Sequence, residues 1–334
     1  MATGKASDFV IYQEEFQTAM VDELAQNLAG FGPASRNAIR IVPQVLAGDY
    51  EKKTFFDDTI TISRRDTTST SAQTASAMTM DENISVKINR KANLMAMTVD
   101  AFRKKGLAEE AAQRQFSAAL GQMLAKKKVQ DYLNTALIAV EAAIQGNTAM
   151  NYDNTGNTAD HLTHVALAEG RALFGDAFGN IVAWVGHSRA YHDNQIDTLA
   201  SANMIVNVGG TMVNAGNVPT LGLPFVVTDA SALINGSGST ATYNVLGLVP
   251  DAVVLTESEP GDVMIWKYGG NENMEFRLQA EWAYNIQVKG FKWDTTNGGA
   301  NPTDGTLGTT TNWDQVVADD KNTAGVRILV DVNV

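Results

Sequence analysis

The chain has 334 residues, of which 44% are hydrophobic, so it is long and apolar enough to bury one large core or two ordinary ones. Its formal net charge of −12 disfavours nucleic-acid binding through bulk charge, and the absence of cysteine excludes disulfides, iron–sulfur clusters and thiol nucleophiles. Neither a signal peptide nor a membrane-spanning stretch is expected from the sequence pattern.

The N-terminal third contains a predicted helix and a predicted hairpin. Phe9 to Ala29 shows helical periodicity, and two alternating segments, Thr54 to Arg65 and Ile84 to Arg90, are typical of paired strands. Between them, Asp66 to Ala77 consists almost entirely of Thr, Ser, Ala and Gln, which predicts a polar, flexible tip. Because an isolated two-stranded hairpin is marginally stable in water, we expect it to lie on its own body or on another subunit.

A long helix is predicted next, from Leu107 to Gln145, with no proline and one internal glycine, Gly121. At 1.5 Å per residue it would be about 58 Å long, which indicates a flat or elongated subunit. Lys126 to Lys128 interrupt its apolar stripe, and we expect these lysines to be solvated, with a basic contact for an acidic partner as the alternative.

An α+β region follows the long helix. Asn147 to Asp160 is predicted to be a polar linker and Met204 to Val218 a loop. Two helices are predicted, one of them N-capped by Ser188, together with five short strands. The ranges of these helices and strands are Val165–Phe174, Ile181–Val185, Ser188–Leu199, Phe225–Thr228, Tyr243–Leu248, Ala252–Leu255 and Val263–Trp266.

The C-terminal part contains the second long element. Every second residue from Phe276 to Val288 is large or apolar, which predicts a half-buried strand about twice the usual length. Asn297 to Asn312 is rich in Gly, Thr and Asn and is predicted to be a surface loop, and Val326 to Val334 closes the chain as a strand. Buried packing is expected for all five tryptophans.

Two histidine groups are candidates for catalytic or metal-binding sites. His161 and His164, three apart and preceded by Asp160, could share a helix face as metal ligands, but no further ligand can be placed. His187 and His192 lie near a predicted helix start and suggest a hydrolase centre with the neighbouring polar residues Ser188, Asp193 and Asp197. The sequence around Ser188 lacks the glycine–x–serine–x–glycine elbow, so we expect ordinary structural roles.

The remaining sequence contains no motif that indicates a cofactor or a metal site. Gly209-Gly210 does not join a strand to a helix, so it is not a dinucleotide fingerprint. Three acidic clusters, Asp57–Asp58, Glu257–Asp262 and Asp319–Asp320, lack the alternating pattern of a calcium loop. The sequence therefore predicts no catalytic, cofactor-binding or metal-binding residue, no cofactor and no enzymatic activity.

The order of the elements resembles the major capsid (coat) protein of tailed bacteriophages, with the Hong Kong 97-type fold that encapsulin shells share. Thr54 to Arg90 looks like the extended loop of that family, Leu107 to Gln145 like its spine helix, and Phe276 to Val288 like its long peripheral strand. Ile181 to His187 with the following helix is similar to a strand–helix unit of coat proteins, and Gly222 to Asp229 resembles their glycine–proline strand.

The resemblance implies an α+β fold of the Hong Kong 97 type, with an N-terminal arm, an extended β-hairpin loop, a long spine helix, long strands in a peripheral domain and an α+β axial domain. The expected segments are the arm at 1–50, the extended loop at 51–100, the spine helix at 101–160, the axial domain at 161–265, the peripheral long strand at 266–296, and a C-terminal loop and strand at 297–334.

The implied function is self-assembly, as hexamers and pentamers, into the icosahedral head shell that encloses the phage genome, with assembly in the host cytoplasm. The short stretch before the spine helix predicts a separate scaffolding protein. A portal, a possible decoration protein and weak, non-specific contact with packaged DNA complete the expected partners, and no membrane is expected. The alternatives are an encapsulin-like nanocompartment shell, an α+β hydrolase built around the histidines, and a tail or decoration protein.

Overall fold

The structure is a computed structural model that describes residues 35–44, 46–56, 62–72, 75, 80–104, 109–200, 205–208, 211–214 and 221–331. The predicted helix Phe9 to Ala29 lies outside the described residues. Five α-helices are found in the described ranges: α1 (Val99–Lys104), α2 (Glu109–Gly146), α3 (His164–Ala172), α4 (Ser188–Ala200) and α5 (Asp304–Leu307). The long predicted helix is therefore confirmed as α2, with 38 residues.

Sixteen strands belong to three sheets in the described part of the chain. They are β1 (Ile39–Pro43), β2 (Tyr50–Phe56), β3 (Met80–Lys91), β4 (Met95–Thr98), β5 (Asn151–Asp153), β6 (Ala183–Gly186), β7 (Ile205–Val208), β8 (Thr211–Asn214), β9 (Phe225–Val227), β10 (Ile234–Asn235), β11 (Thr242–Leu248), β12 (Val253–Tyr268), β13 (Glu275–Val288), β14 (Phe291–Trp293), β15 (Trp313–Gln315) and β16 (Gly325–Val330).

The first sheet is organised around the long antiparallel pair β12–β13. Its order is β1-β12-β13-β14-β15, and β3 and β4 also pair with β13 while β2 pairs with β3. The predicted alternation along β13 is confirmed, because the side chains that point towards α2 are buried. Tyr284 of this strand packs edge-on against Tyr132 of α2, with ring centroids 4.7 Å apart.

The second sheet has the order β5-β16-β11-β6-β9, with β10 paired to β11. Its central strands are buried, and Trp184 of β6 is completely enclosed. Helix α3 covers this sheet at Gly170, where a Cβ atom would collide with Ile328 of β16. The side chain of Thr163 accepts a hydrogen bond from the backbone of Ala166 and so caps the start of α3.

The C-terminal half of α2 joins the two sheets. Its alanines are fully buried, and small side chains let neighbouring elements approach the helix closely. Tyr132 contacts the first sheet, whereas Glu141 bonds Arg327 of β16 in the second sheet. The helix and both sheets therefore share one continuous hydrophobic core.

Two predictions in the α+β region were wrong. The segment Met204 to Val218 is not simply a loop, because β7 and β8 pair within it as an antiparallel hairpin. The predicted strands Ala252–Leu255 and Val263–Trp266 are parts of one strand, β12. Its register against β13 shifts on both sides of Glu259, so β-bulges carry the strand through a polar stretch that breaks the apolar pattern.

Three further segments differ from the prediction. The polar linker Asn147–Asp160 contains β5, which pairs in parallel with β16. The predicted surface loop Asn297–Asn312 contains α5, whose Leu307 is buried. The first strand of the hairpin runs from Tyr50 to Phe56 rather than from Thr54 to Arg65.

Sheet membership also departs from the segments expected by resemblance. Residues 253–265 fall in the expected axial segment, yet they form β12 and pair with the long strand β13. Residues 325–330 fall in the C-terminal segment, yet as β16 they lie between β5 and β11 in the second sheet.

Candidate assembly surface

The β2–β3 hairpin has a buried base and an exposed end. At its base, β3 pairs with β13, and Val86 and Ile88 are buried in the core. At its far end the strand partners are Phe56 and Met80, which are 64% and 67% exposed. The hairpin is therefore anchored on its own body and ends in an apolar pair that this chain does not cover.

The described residues 62–72 form the hairpin tip, and they are exposed and lie in neither helix nor strand. Ile62 is 94% exposed. Arg64 and Arg65 are also exposed, and neither forms an ion pair with a carboxylate that the structure describes. Asp66 accepts hydrogen bonds from the side chain and backbone of Thr68, which lower the pKa of its carboxyl group.

A buried polar cluster links α2 to the bulge of β12. Lys128 donates a hydrogen bond to Glu257, and the hydroxyl of Tyr132 donates to the same carboxylate at 3.0 Å. The Lys128 ammonium also lies 5.9 Å from the ring centroid of Trp282. Lys126 and Lys127 are exposed, as expected, but the prediction of a solvated lysine was wrong for Lys128.

A second polar cluster fixes β3 to α2 and α5 through Arg90. Its guanidinium lies 3.2 Å from Asp131 and 2.6 Å from Asp304, and it donates to the hydroxyl of Thr135 at 3.0 Å. Tyr284 donates its hydroxyl hydrogen to Asp131 at 2.9 Å. Burial raises the pKa of Asp131, and the charge of Arg90 opposes that rise.

The His161–His164 pair has no metal-site geometry. His161 Nδ1 lies 3.8 Å from Asp160, and His164 begins α3. Within the ranges that the structure describes, no three His, Cys, Asp or Glu side chains converge as metal ligands.

In the second histidine group, His187 caps a helix and His192 contacts a glutamine side chain. His187 Nδ1 accepts a hydrogen bond from the backbone N–H of Arg189 at 3.1 Å, so His187 caps α4 where the sequence predicted Ser188. Ser188 bonds Asp229, through its hydroxyl and through its backbone N–H at 3.4 Å. His192 instead lies 3.1 Å from Gln195. The Asp229 carboxylate that bonds Ser188 also lies 3.5 Å from His187 Nε2, and among the described residues no histidine is hydrogen-bonded to the Ser188 hydroxyl.

Asp193 and Asp197, the aspartates of this group, lie on α4. Asp193 is buried and lies 3.6 Å from Arg189, and the side chain of Asp197 lies outside the described residues. Of the three acidic clusters, Asp57–Asp58 lies outside the described residues. The side chain of Asp319 caps a short 3-10 helix by accepting from the backbone of Lys321.

Glu259 and Asp262, two of the three carboxylates in the Glu257–Asp262 cluster, line a cleft. The cleft has a volume of about 500 Å³, and its lining residues come from β3, β12 and β13: Asn89, Arg90, Glu259, Gly261, Asp262, Glu281 and Trp282. We call it the acidic cleft. The sequence pattern does not indicate this cleft, because Glu281 is nineteen positions away from Asp262 and only strand pairing brings the two together.

A long helix packed on a long antiparallel strand pair, with a projecting hairpin and a separate mixed sheet, defines the Hong Kong 97-type capsid fold. The chain is similar to the capsid protein of Ralstonia phage GP4, with a TM-score of 0.52, 10% identity, and coverage of 89% of this chain and 88% of that chain. It is also similar to the capsid chain of cyanophage Pam1, with a TM-score of 0.50, 12% identity, and coverage of 87% and 88%. The fold expected from the sequence is confirmed.

The particular family follows from the sequence itself. Residues 8–327 match the Gp13-like family, described as Major capsid protein 13-like, and the chain belongs to this family. No curated protein sequence matches the chain significantly. The predicted function, a major capsid protein of a tailed phage, is confirmed in preference to a nanocompartment shell protein, and it places the chain in the virion capsid in a structural role.

None of the helices in the described ranges combines the length and the apolar character needed to cross a membrane.

Proposed function

We propose that this capsid protein builds an icosahedral head as hexamers and pentamers, with each hairpin lying over an adjacent subunit. The observation that carries the proposal is the exposed apolar pair Phe56 and Met80 at the end of the hairpin. A two-stranded ribbon with apolar ends is marginal in water, and a neighbouring copy supplies the surface that it lacks. Each contact is weak, and closure of the shell makes many of them act together.

We propose a role for each segment that was expected from the sequence, with two boundaries changed to agree with the observed strand pairing. Residues 1–50 act as an arm that reaches another subunit, 51–100 as the extended loop and 101–160 as the spine helix. The axial domain, which closes the centre of each capsomer, contains residues 161–252 together with strand β16. The peripheral domain gains residues 253–265, because β12 pairs with β13 along its length.

The proposed partners are a separate scaffolding protein, a portal and a decoration protein, with assembly in the host cytoplasm. Packaged DNA is contacted weakly and without specificity, since a chain with a net charge of −12 repels the phosphate backbone. We also propose that the chain has no catalytic activity. Support comes from Ser188, whose hydroxyl bonds Asp229 rather than a histidine.

The test replaces residues 57–79 with a two-residue Asn-Gly turn and changes Phe56 and Met80, the exposed strand partners on either side of this turn, to threonine. The shortened subunit should fold, because β3 keeps its pairing with β13, but it should form no closed shells. Circular dichroism checks the fold, and negative-stain microscopy with sedimentation checks assembly. Val165→Ser, which changes an exposed apolar residue on α3, is the control and should assemble normally. Closed shells formed by the shortened chain would refute the proposed role of the hairpin.

A further inference from the structure

The β2–β3 hairpin extends past the strand that anchors it. Strand β3 pairs with β13 from Val86 to Lys91, whereas its residues 80–85 pair with β2 and lie beyond that stretch. A two-stranded ribbon twists strongly and is marginally stable by itself, so its direction is poorly fixed by its own hydrogen bonds. The direction in which the hairpin leaves the body therefore depends on contacts from outside the ribbon.

The first such contact lies at the base of the hairpin. Pairing between β2 and β3 ends three positions before Asn89. There the backbone N–H of Asn89 donates to the side-chain oxygen of Asn301 at 2.9 Å, so the asparagine side chain takes the place of a strand. The next residue, Arg90, lies 2.6 Å from Asp304. The loop that leads into α5 thus holds two consecutive residues of β3.

Asn301 makes its contact from an uncommon backbone conformation. Its φ is +47°, in the left-handed region that residues other than glycine rarely adopt. It also precedes Pro302, which is buried, and the residue before a proline normally has an extended backbone. Such conformations persist where the surrounding structure enforces them, and they concentrate at functional positions. The strain therefore indicates that the placement of this side chain matters.

The second contact lies near the far end of the hairpin. Lys292 of β14 lies 3.3 Å from Asp81, which is next to the hairpin end at Met80. Asp81 is eight positions from Asn89, which is about 26 Å along a strand. Two supports at this separation fix a direction, which a single support cannot do. Both belong to residues 292–304, which we call the brace.

The brace is itself anchored in the core. Trp293 is completely buried, and its indole N–H donates to the carbonyl of Gly299 at 2.9 Å. A Cβ atom at Gly298 would collide with the Trp293 ring, so the loop packs directly on this side chain. The hydroxyl of Thr303 accepts a hydrogen bond from the N–H of Thr306 at 3.2 Å and caps α5. The brace is therefore a fixed part of the subunit body.

We propose that the brace sets the direction of the hairpin and thereby the curvature of the shell, with Lys292, Asn301 and Asp304 as positioning residues. This inference rests on the proposed function, in which the hairpin lies over an adjacent subunit. From Asn89 to Met80 the hairpin extends about 30 Å, so a rotation of about 10° at its base moves its end by about 5 Å. A head-to-tail contact between copies closes only when its rotation is correct.

The first test measures the direction of the hairpin in the unassembled subunit. The chain contains no cysteine, so Thr54→Cys and Lys127→Cys place one spin label on the exposed side of β2 and one on α2. Pulsed electron spin resonance should give one narrow distance distribution when the brace is intact. Lys292→Asp and Asn301→Gly should each broaden this distribution, because each removes one support of the hairpin.

A matched control breaks an ion pair elsewhere. Asp176→Lys disrupts the exposed pair with Lys321, which lies 2.5 Å away and does not touch the hairpin. This variant should leave the distance distribution narrow. Equally narrow distributions in the control and in both brace variants would overturn the inference, whether or not the hairpin contacts another subunit.

The second test is a charge exchange in the full-length chain, followed by electron microscopy of the assembled particles. Asp81→Lys and Lys292→Asp should each lower the fraction of closed shells with the original diameter by roughly fivefold or more, with open or misshapen particles in their place. The chain that carries both changes should regain most of the regular shells. Asn301→Asp keeps an acceptor for the N–H of Asn89 and should also form them.

The two proposals fail in different ways. Regular shells from both single charge variants, or no recovery in the exchanged pair, would overturn the role of the brace. The replacement of residues 57–79 decides the proposed function separately, because it removes the hairpin tip and its exposed apolar pair while the brace stays intact.

Discussion

Lys128, in the middle of the spine helix α2, donates a hydrogen bond to Glu257 at the bulge of β12, although only 3% of the lysine is exposed. The pair connects the helix to the strand at the point where β12 leaves its register with β13. Removing one partner of a buried ion pair leaves the other charge desolvated and unpaired, which costs more than the pair itself contributes.

Lys128→Ala should therefore lower the free energy of unfolding by about 3 kcal/mol. The loss arises because, among the described residues, the hydroxyl of Tyr132 is the one remaining hydrogen-bond partner of the half-buried Glu257 carboxylate. Denaturant unfolding of the purified subunit measures this change in the free energy of unfolding. Lys127→Ala, one position earlier and exposed, is the control and should change stability by about 0.5 kcal/mol or less. Equal losses in both variants would contradict the role assigned to the buried pair.

Glu141 should make stability depend on pH. It is buried between Arg327, at 2.9 Å, and Asn244, at 3.0 Å. Burial raises the pKa of its carboxyl group, and the charge of Arg327 opposes this rise without cancelling it. The folded state therefore holds the proton at a higher pH than the unfolded state does. The resulting stabilisation is complete below the ordinary carboxyl pKa of 4.5 and is lost as the pH rises through the raised value.

The corresponding measurement compares the original protein with Glu141→Gln, which cannot titrate, by thermal unfolding from about pH 7 to about pH 4. The difference in stability should shift in favour of the original protein as the pH falls. Glu272→Gln removes an exposed carboxyl group and is the matched control. If the stability of the original protein and that of Glu141→Gln changed with pH in the same way, the Glu141 carboxyl group would not hold its proton more strongly in the folded state.

The long elements could be predicted from sequence because each repeats one physical pattern many times. Helix α2 has no proline in its 38 residues, and its apolar spacing resumes after the interruption at Lys126 to Lys128. Strand β13 alternates between buried and more exposed residues over most of its length. The buried Lys128 could not be predicted, because its partner Glu257 is far away in sequence and a lysine in a helix is usually solvated. The acidic cleft depends in the same way on the pairing of Asp262 with Glu281.

The shorter elements were missed because tertiary contacts stabilise them. Strand β5 in the polar linker forms by pairing with β16, and only that pairing distinguishes it from a loop. Strand β12 was divided in two because Pro260 and Gly261 are typical of turns, whereas here they lie within a bulged strand. His187 took the capping position assigned to Ser188 because the imidazole nitrogen can accept the same backbone hydrogen bond.

Gly247 should tolerate no side chain. It lies in β11 between the buried side chains of Trp184 and Val326, and an added Cβ would lie 2.6 and 2.9 Å from their atoms. Gly247→Ala should therefore destabilise the subunit by about 1–3 kcal/mol through overpacking. Gly156→Ala, at an exposed glycine with no atom within 4 Å of the added Cβ, is the control for denaturant unfolding. If Gly247→Ala left the denaturant midpoint of unfolding unchanged, the side chains of Trp184 and Val326 would have to move away from β11 without cost.

Trp313 should be essential for the segment that the sequence predicted to be a surface loop. Its ring packs edge-on against Trp293, with centroids 5.0 Å apart, and its indole N–H donates to the carbonyl of Leu307 at 2.9 Å. Trp313→Ala removes both contacts and should cost about 3–5 kcal/mol. Trp313→Phe keeps a ring but leaves the carbonyl of Leu307 without its donor, so it should cost about 1–3 kcal/mol. Calorimetry of the unassembled subunit measures both, and a loss below about 1 kcal/mol in Trp313→Ala would mean that this segment contributes little to the core.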